Sequence, residues 1–373
     1  ACAGIEITAS HNPINYNGLK IVKSGSRPLD EFADFRQIKW LAETESWISV
    51  ACRGHVFDLS EEARSKYVSR VLRFVSPAEF KPLKIVVNSG NGAAGPTFDA
   101  IAAALEKHIS GPLNFIRVNH TPDMNFPNGI PNPLLRENQA ATADIVKCEG
   151  ADFGVAFDGD FDRCFFFDEL GQFVPGEYVV GLLAEIFLNK EAGARIVHDA
   201  RVIWNTRDIV IERGGTPVQS KTGHAFIKHT MRQTSAIYGG EMSSHHYFRD
   251  FAYCDSGMIP WLLIAELISR SDISLGTWLE GRYKKFPSSG EQNFVVEDPD
   301  KAIAAVRKEY VGAAHIDEMD GISFSFDSWR FNIRKSNTES LVRLNLEKRD
   351  PFVSLNEKLS QIEMLLRSFK VPA

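Results

Sequence analysis

"LKIVVNSGNGAAGPTFDAIAAALEKH", residues 83 to 108, decides the class of fold. A β-branched run breaks at a Gly/Asn-rich turn, passes into an amphipathic stretch, and is followed by a second strand-like run, "NFIRVN". Strand, tight turn, helix and strand in succession are the unit of an α/β domain with a parallel or mixed sheet. The same grammar recurs along the chain. "ADFGVAFDGDFDRCFFFDELGQFV" (151 to 174) is two strand-like runs around an acidic turn, and "EYVVGLLAEIFLNK" (177 to 190) has apolar residues at helical spacing. "ARIVHDAR", "GGTPVQSKTGH" and "SAIYGGEMSSHHYF" continue the alternation. After about Phe286 the texture changes: "GISFSF", "WRFNIR" and "LVRLNLE" alternate as short strands, and "SLNEKLSQIEMLLRSF" reads as a terminal helix, the pattern of a small α+β domain. Boundaries are predicted near residues 56, 173 and 287, giving segments 1–56, 57–172, 173–286 and 287–373.

Composition narrows the function classes. The chain has 373 residues, 44% hydrophobic and 24% charged, as in ordinary globular proteins. Lys plus Arg is 42 against Asp plus Glu 48, a net charge of −6, so the basic footprint of a nucleic-acid binder is missing. Five scattered cysteines without a C-x-x-C pair argue against a disulfide framework or a cysteine zinc site, and make a reducing cytoplasm the default. The longest apolar stretch, "MIPWLLIAELI" from Met258, is too short to span a bilayer, and no charged region precedes an apolar signal segment. The chain begins at Ala1 and is almost at once inside a strand (Ile5 to Thr8), which reads as a fragment lacking its first part.

Four loops carry chemistry. In Asp158-Gly159-Asp160-Phe161-Asp162-Arg163, three carboxylates at alternate positions repel one another unless a cation lies between them, and oxygen ligands suit Mg²⁺ or Ca²⁺. An EF-hand would also use Asp158, Asp160, Asp162 and Glu169, but its sixth position needs Gly and here is Arg163, and the flanks are strand-like. "SGNGAAG" contains Gly90-x-Gly92-x-x-Gly95, the dinucleotide fingerprint in the right context. However, the acidic residue expected about 20 positions on is replaced by Asn119 and His120, so the glycines read as a tight turn. "GGEMSSHHYF" places Glu241, Ser243, Ser244, His245 and His246 after two glycines; these would suit sugar hydroxyls, and a polar hairpin tip explains them equally well. In Arg334-Lys335-Ser336-Asn337-Thr338-Glu339, Ser336 with Glu339 fits a helix capping box, yet the following "LVRLNLE" alternates like a strand. Two cations, two hydroxyls and an amide on one tight loop would bind a phosphate dianion.

Ser10 in "TASHNP" lies outside any G-x-S-x-G elbow, so hydrolase chemistry is disfavoured. With a metal loop and a phosphate loop elsewhere in the chain it fits a phosphoryl carrier, with His11 and Lys20 nearby to orient the group or move protons.

"TASHNP", "DGDFDR", "GEMSSHH" and "RKSNTE", in this order and at these separations, resemble the α-D-phosphohexomutase family, in its bacterial phosphomannomutase/phosphoglucomutase branch. The resemblance runs from about Gly4 to the terminal helix. It implies three related α/β domains with mixed sheets, the first truncated, plus a C-terminal α+β domain, around a central cleft. It further implies that Ser10 is the phosphoserine and that Asp158, Asp160 and Asp162 hold Mg²⁺ together with a phosphoserine oxygen. Lys20, His11 and Arg163 would lie beside that centre, with His224 of "KTGH" as a proton-transfer partner. Glu241, Ser243 and His245 would face the sugar, Arg201 would be a basic substrate contact, and Arg334, Ser336, Asn337 and Thr338 would grip the unreacting phosphate. The implied activity is interconversion of mannose 1-phosphate and mannose 6-phosphate through a hexose 1,6-bisphosphate, which also serves as activator. Glucose phosphates are the alternative substrates, because the two sugars differ at carbon 2, away from the hydroxyls these motif residues would contact. Ser340 replaces the usual proline after "SNTE", and the family's segment before the serine loop has no counterpart here. A truncated phosphosugar-binding protein without turnover is therefore the rival class, and an oxidoreductase would return only with nicotinamide cofactor binding. The partners expected are hexose phosphates, with no nucleic acid or membrane; the sequence leaves the oligomeric state open.

Overall fold

The computed structural model describes residues 1–369 apart from 31, 32, 110 and 337–339, and its strands form four sheets. In the first, β1 (Ala3–Ile7), β2 (Leu19–Lys23) and β3 (Arg27–Pro28) pair antiparallel, followed by helix α1 (Asp34–Thr44). β1 starts slightly earlier than the sequence suggests, and Thr8 N donates to Gly18 O at 3.0 Å beyond its end. No described residue before Val68 is buried; Ile5 and Ile7 stay 63% and 68% exposed. Order in this segment therefore rests on hydrogen bonds and on polar contacts to other domains, such as Arg232 Nη2 to Ser26 O at 3.1 Å, more than on removing apolar surface from water.

The second unit runs through α2 (Ser60–Val71), β4 (Leu83–Asn88), α3 (Ala94–Leu105), β5 (Leu113–Val118), α4 (Arg136–Glu149), β6 (Phe153–Phe157), β7 (Cys164–Phe167) and β8 (Phe173–Val174). Its sheet has the order β5-β4-β6-β7-β8, with β5, β4 and β6 parallel and the last two antiparallel. Every residue of β6 and β7 is buried, which explains their continuous rather than alternating apolar sequence. The third unit comprises α5 (Gly176–Lys190), β9 (Arg195–Asp199), α6 (Trp204–Glu212), β10 (Thr216–Ser220), α7 (His224–Thr234), β11 (Tyr238–Gly240), β12 (His246–Phe248), β13 (Cys254–Asp255), α8 (Met258–Ser271) and α9 (Leu275–Lys285). Its order, β10-β9-β11-β12-β13, repeats that of the second unit strand for strand, including the parallel and antiparallel pairings. The antiparallel trio β1-β2-β3 matches the last three strands of each.

The "MIPWLLIAELI" stretch is apolar all round because α8 is enclosed on every side. Met258 to Ala265 are all buried, and the Trp261 ring lies 5.0 Å from Phe98 and 6.0 Å from Phe115 of the second unit. One continuous core runs from Val68 to Leu279. No helix among the described residues is long and apolar enough to cross a membrane.

The fourth unit is β14 (Ser288–Val295), α10 (Pro299–Glu309), β15 (His315–Asp317), β16 (Ile322–Ser325), β17 (Trp329–Lys335), β18 (Leu341–Lys348) and α11 (Leu355–Arg367). It forms an antiparallel sheet of order β14-β18-β17-β16-β15 with a core of its own. Alternation sends Phe331, Ile333, Leu344 and Leu346 to that core and Arg330, Asn332, Arg334, Arg343, Asn345 and Glu347 to the opposite face. This polar face meets the third unit. The Glu347 carboxylate accepts from Ile203 N (2.8 Å) and Trp204 N (2.9 Å) at the start of α6, and from Arg330 Nη1 (2.6 Å).

Amide exchange should follow this division. We expect β1 and β2 to exchange within seconds to minutes while β4, β6 and α8 stay protected for hours, because opening β1–β2 exposes no core. Protection of Ile5 to Val22 equal to that of β6 in hydrogen-exchange mass spectrometry would show that the polar contacts alone hold this segment.

Candidate active site

Ser10 stands in the loop between β1 and β2 with φ 53°, a left-handed conformation uncommon outside glycine. Thr8 fixes that turn: its Oγ1 accepts from Ser10 N at 2.9 Å and donates to Asp160 Oδ2 at 2.9 Å. Ser10 Oγ lies 3.1 Å from Asp158 Oδ2 and 3.0 Å from His11 Nδ1. Arg163 Nη2 reaches the same His11 nitrogen. Burial and then the Arg163 charge lower the His11 pKa to about 4, so this imidazole is neutral at pH 7.

The acidic turn occupies the connection between β6 and β7. Carboxylate oxygens of Asp158, Asp160 and Asp162 lie within 4.8 Å of one another. Their repulsion is offset by basic side chains from three places. Lys20 Nζ on β2 donates to Asp160 Oδ2 and Asp162 Oδ2, each at 2.7 Å; Arg163 Nε donates to Asp158 Oδ2 at 2.8 Å; and His245 Nε2 lies 3.6 Å from Asp162 Oδ1. Burial, against the opposing charge of Arg163, pushes Asp158 up to about 6, while Lys20 is raised by the two carboxylates in spite of its burial. Asp160 Oδ1 and Asp162 Oδ1 are buried with no hydrogen-bond partner among the described residues. Hard oxygen donors, two of them orphaned, fit a divalent cation such as Mg²⁺. Strands on both sides of the loop set aside the EF-hand reading.

The glycines of "SGNGAAG" pack this loop. A Cβ on Gly92 would lie 2.6 Å from Gly159 O, and one on Gly159 would lie 2.1 Å from Ser10 O. The turn is thus a backing surface for the acidic loop, in line with the structural reading of the fingerprint.

The "GEMSSHH" loop joins β11 to β12, the same connection in the third sheet that carries the acidic turn in the second. Glu241 is buried, and its oxygens are engaged by Gly223 N (2.7 Å) and Tyr247 Oη (2.6 Å), so it is less free for an incoming hydroxyl than the sequence suggests. Ser243 Oγ lies 3.3 Å from His245 Nδ1 and 3.4 Å from Arg201 Nη2. Arg201 is held by Asp199 Oδ2 at 2.6 Å. His224 opens α7 after Gly223; burial and the Lys228 charge lower its pKa, and the charges of His245 and Glu241 also act on it.

The fourth loop is a hairpin tip rather than a helix start: Arg334 pairs with Arg343 across β17 and β18, and Ser336 N donates to Leu341 O at 2.9 Å. Asn337 and Thr338 lie outside the described residues, as does Glu339. Of the two expected cations only Arg334 faces the site. Lys335 turns to Asp300, at 2.9 Å, because alternation places it on the other face of the strand.

Two residues went unread in the sequence. Glu291 on β14 collects three guanidiniums, with Arg334 Nη2 at 3.0 Å, Arg343 Nη1 at 3.5 Å and Arg201 Nη1 at 3.7 Å. Arg343 Nε and Arg334 Nε are both buried without partners among the described residues. The polar alternation Arg343, Asn345, Glu347 within "LVRLNLE" was the available signal for Arg343; Glu291 carried none. An unbroken line of charged contacts therefore runs from Ser10 through Asp158, Arg163, Asp162, His245, Glu241, Arg201 and Glu291 to Arg334.

A hydroxyl beside a hard-cation site at one end, and a guanidinium cluster at the other, are groups suited to phosphoryl transfer on a substrate with an anionic far end. Family models for phosphoglucomutase/phosphomannomutase α/β/α domains I, II and III match residues 1–46, 65–171 and 175–286, and that for the C-terminal domain matches 291–353. The chain is 53% identical to a phosphomannomutase of Salmonella montevideo over 98% of its own length and 80% of that protein, and 51% identical to one of Vibrio cholerae over 99% and 79%. A phosphoglucomutase/phosphomannomutase family protein of Burkholderia thailandensis superposes with a TM-score of 0.80 at 28% identity, over 98% of this chain and 75% of that one. The chain belongs to the phosphoglucomutase/phosphomannomutase family.

The approach of Gly159 to Ser10 supplies a test. Gly159→Ala should push the serine loop off its position and lower mutase turnover by at least about tenfold, since a shift of about 1 Å can cost a hundredfold. Its melting temperature should change by only a few degrees, the displaced segment lying outside the core; unaltered kcat would show that the loop adapts.

Proposed function

We propose that this chain interconverts mannose 1-phosphate and mannose 6-phosphate, with Ser10 carrying the phosphoryl group through a hexose 1,6-bisphosphate. The observation that carries this reading is the charged line from Ser10 to Arg334, with a transferable hydroxyl at one end and unpartnered guanidinium nitrogens at the other. A hexose with phosphate at one end could seat that group at Arg334 and present its free hydroxyl to phosphorylated Ser10. The bisphosphate, turned end for end, meets the same two environments. The identity to phosphomannomutases supports mannose. Glucose phosphates are the second reading, because the family spans both sugars.

In the transfer step the hexose oxygen bonds to phosphorus as the Ser10 Oγ–P bond breaks, and the hydroxyl proton passes to a base. His224 is the imidazole offered as that base, while neutral His11, whose Nδ1 lies 3.0 Å from Ser10 Oγ and also meets Arg163 Nη2, orients the serine oxygen. Lys20 and Arg163 stabilise charge on the transferring group and on the departing Ser10 oxygen. Asp158, Asp160, Asp162 and a phosphoserine oxygen would hold Mg²⁺, which when bound supplies Lewis-acid stabilisation of phosphoryl charge. Ser243 and His245 would face the sugar, with Glu241 anchoring their loop and available to a hydroxyl through its second lone pairs. Arg201, Arg334, Arg343, Ser336, Asn337 and Thr338 would grip the distal phosphate, with Glu291 holding the guanidiniums in place beforehand. A hexose 1,6-bisphosphate would prime Ser10 as activator. Free cysteines suit a cytoplasmic setting.

Turnover of mannose 1-phosphate and glucose 1-phosphate, primed with glucose 1,6-bisphosphate, tests the reading directly. Mannose 1-phosphate should be converted, and the intact protein should gain one phosphate that Ser10→Ala lacks; labelling that survives the substitution removes Ser10 from the mechanism. Asp160→Asn should weaken Mg²⁺ binding and slow phosphoryl transfer together. Arg334→Ala should raise KM for the hexose phosphate by about tenfold or more, the loss of a charge-assisted contact. Arg343→Ala should do the same, and kcat falling with KM unchanged in either variant would contradict a role in distal phosphate binding.

A further inference from the structure

A cavity of about 340 Å³ lies between the third and fourth units, bounded by α6 and β10 on one side and β15 to β17 on the other. None of the residues assigned to the reaction lines it. Its size falls within the range of small-molecule sites, roughly 300–1,000 Å³.

The lining is cationic and partly aromatic. Arg207, Arg330 and Arg349 all contribute, together with the Trp204 ring. Arg207 is exposed and forms no ion pair among the described residues. Arg349 stacks over Trp204 with its guanidinium carbon 4.7 Å from the ring centroid. Arg330 is 1% exposed, and its Nε is buried without a partner among the described residues. The acids at the rim are already engaged: Asp208 by Arg282 (2.9 Å) and Lys285 (2.6 Å), and Asp317 by Gln219 Nε2 (2.6 Å) and Met319 N (2.9 Å). Arg330 is paired with Glu347 Oε1 at 2.6 Å and Asp317 meets only neutral donors, so the surplus of positive charge beside the indole and the Ser325 hydroxyl comes from Arg207 and Arg349. That combination matches a phosphate ester with a flat ring: Arg207 takes the phosphate, and the ring stacks along the Arg349–Trp204 pair.

The position of the cavity gives its occupant a consequence. Arg330 Nη1 and Nη2 also donate to Arg201 O (2.8 Å) and Ala200 O (3.1 Å), so one residue touches both the cavity and the backbone that carries Arg201 into the reaction site.

We propose that this cavity binds a ring-bearing phosphate ester, of the nucleoside monophosphate class, which clamps the fourth unit onto the third. Calorimetric titration of adenosine and guanosine monophosphates into the full chain tests this, with the reaction site first saturated by mannose 1-phosphate. At least one nucleotide should bind once per chain with Kd below about 1 mM. Arg207→Ala and Arg349→Ala, both exposed positions that should leave the melting temperature unchanged, should each weaken that binding by about tenfold, while Arg334→Ala should leave it intact. Inorganic phosphate alone and adenosine alone should each bind more weakly by a similar factor. Absence of binding up to about 10 mM, or binding lost in Arg334→Ala and kept in Arg207→Ala, would overturn the proposal, and equal affinity for inorganic phosphate would overturn the ring-bearing class.

Discussion

Three carboxylates cannot share the short turn from Asp158 to Asp162 without positive charge close by, and the rest of the site is arranged around supplying it. Arg163 comes from the turn itself, Lys20 from the first sheet and His245 from the third. Each of these basic side chains has a further duty. Arg163 reaches His11, Lys20 brings the serine hairpin against the acidic turn, and His245 lies beside Ser243 and Glu241. Compensation of charge is therefore also what assembles three separate sheets into one centre. It matters most for the serine hairpin, which has no buried side chain to hold it in place.

The placement of the loops follows from repetition. In the second and third sheets the functional turn joins the first antiparallel pair, β6 to β7 and β11 to β12, and the serine turn joins β1 to β2 in the matching trio. The fourth unit offers another hairpin tip, β17 to β18. Turns between antiparallel neighbours leave the sheet edge-on, where they can meet turns from other sheets without unpairing their own strands. A repeated frame thus carries three different sets of groups at one connection: a hydroxyl, a carboxylate cluster and a polar set of Glu241, Ser243 and His245.

Much of this is written in the sequence because it depends on local pattern. The uniform burial of "FGVAF" and "CFFF", the strand-turn-helix order around Gly90, and the alternation after Phe286 each report the environment of their own segment. The chemistry-bearing loops are legible for the same reason, since each gathers unusual residues within a few positions. What escaped depends on distant partners. Glu291 is an ordinary glutamate until β14 brings it beside Arg334 and Arg343, and Lys335 looks like a phosphate ligand until strand alternation turns it to Asp300. The kinship of the three α/β units was expected from the resemblance, while their strand order, β5-β4-β6-β7-β8 and β10-β9-β11-β12-β13, is seen only in the sheets. The engagement of Glu241 by Tyr247 and Gly223 is likewise a matter of packing between α7 and β12, which no spacing in the sequence encodes.

The enclosure of α8 bears on how such a chain can change over time. Met258, Trp261 and their neighbours fill the third unit's side of a core whose other side is Phe98, Phe115 and Phe166. Two units that look interchangeable in diagram are thus halves of one hydrophobic interior, and close packing leaves little tolerance for a partner of different shape. Recombination with a relative would keep this interface only if both halves travelled together, with crossovers before about Val68 or after about Leu279. The first and fourth units, joined to that block through polar contacts, are the parts that lineages could exchange piecemeal.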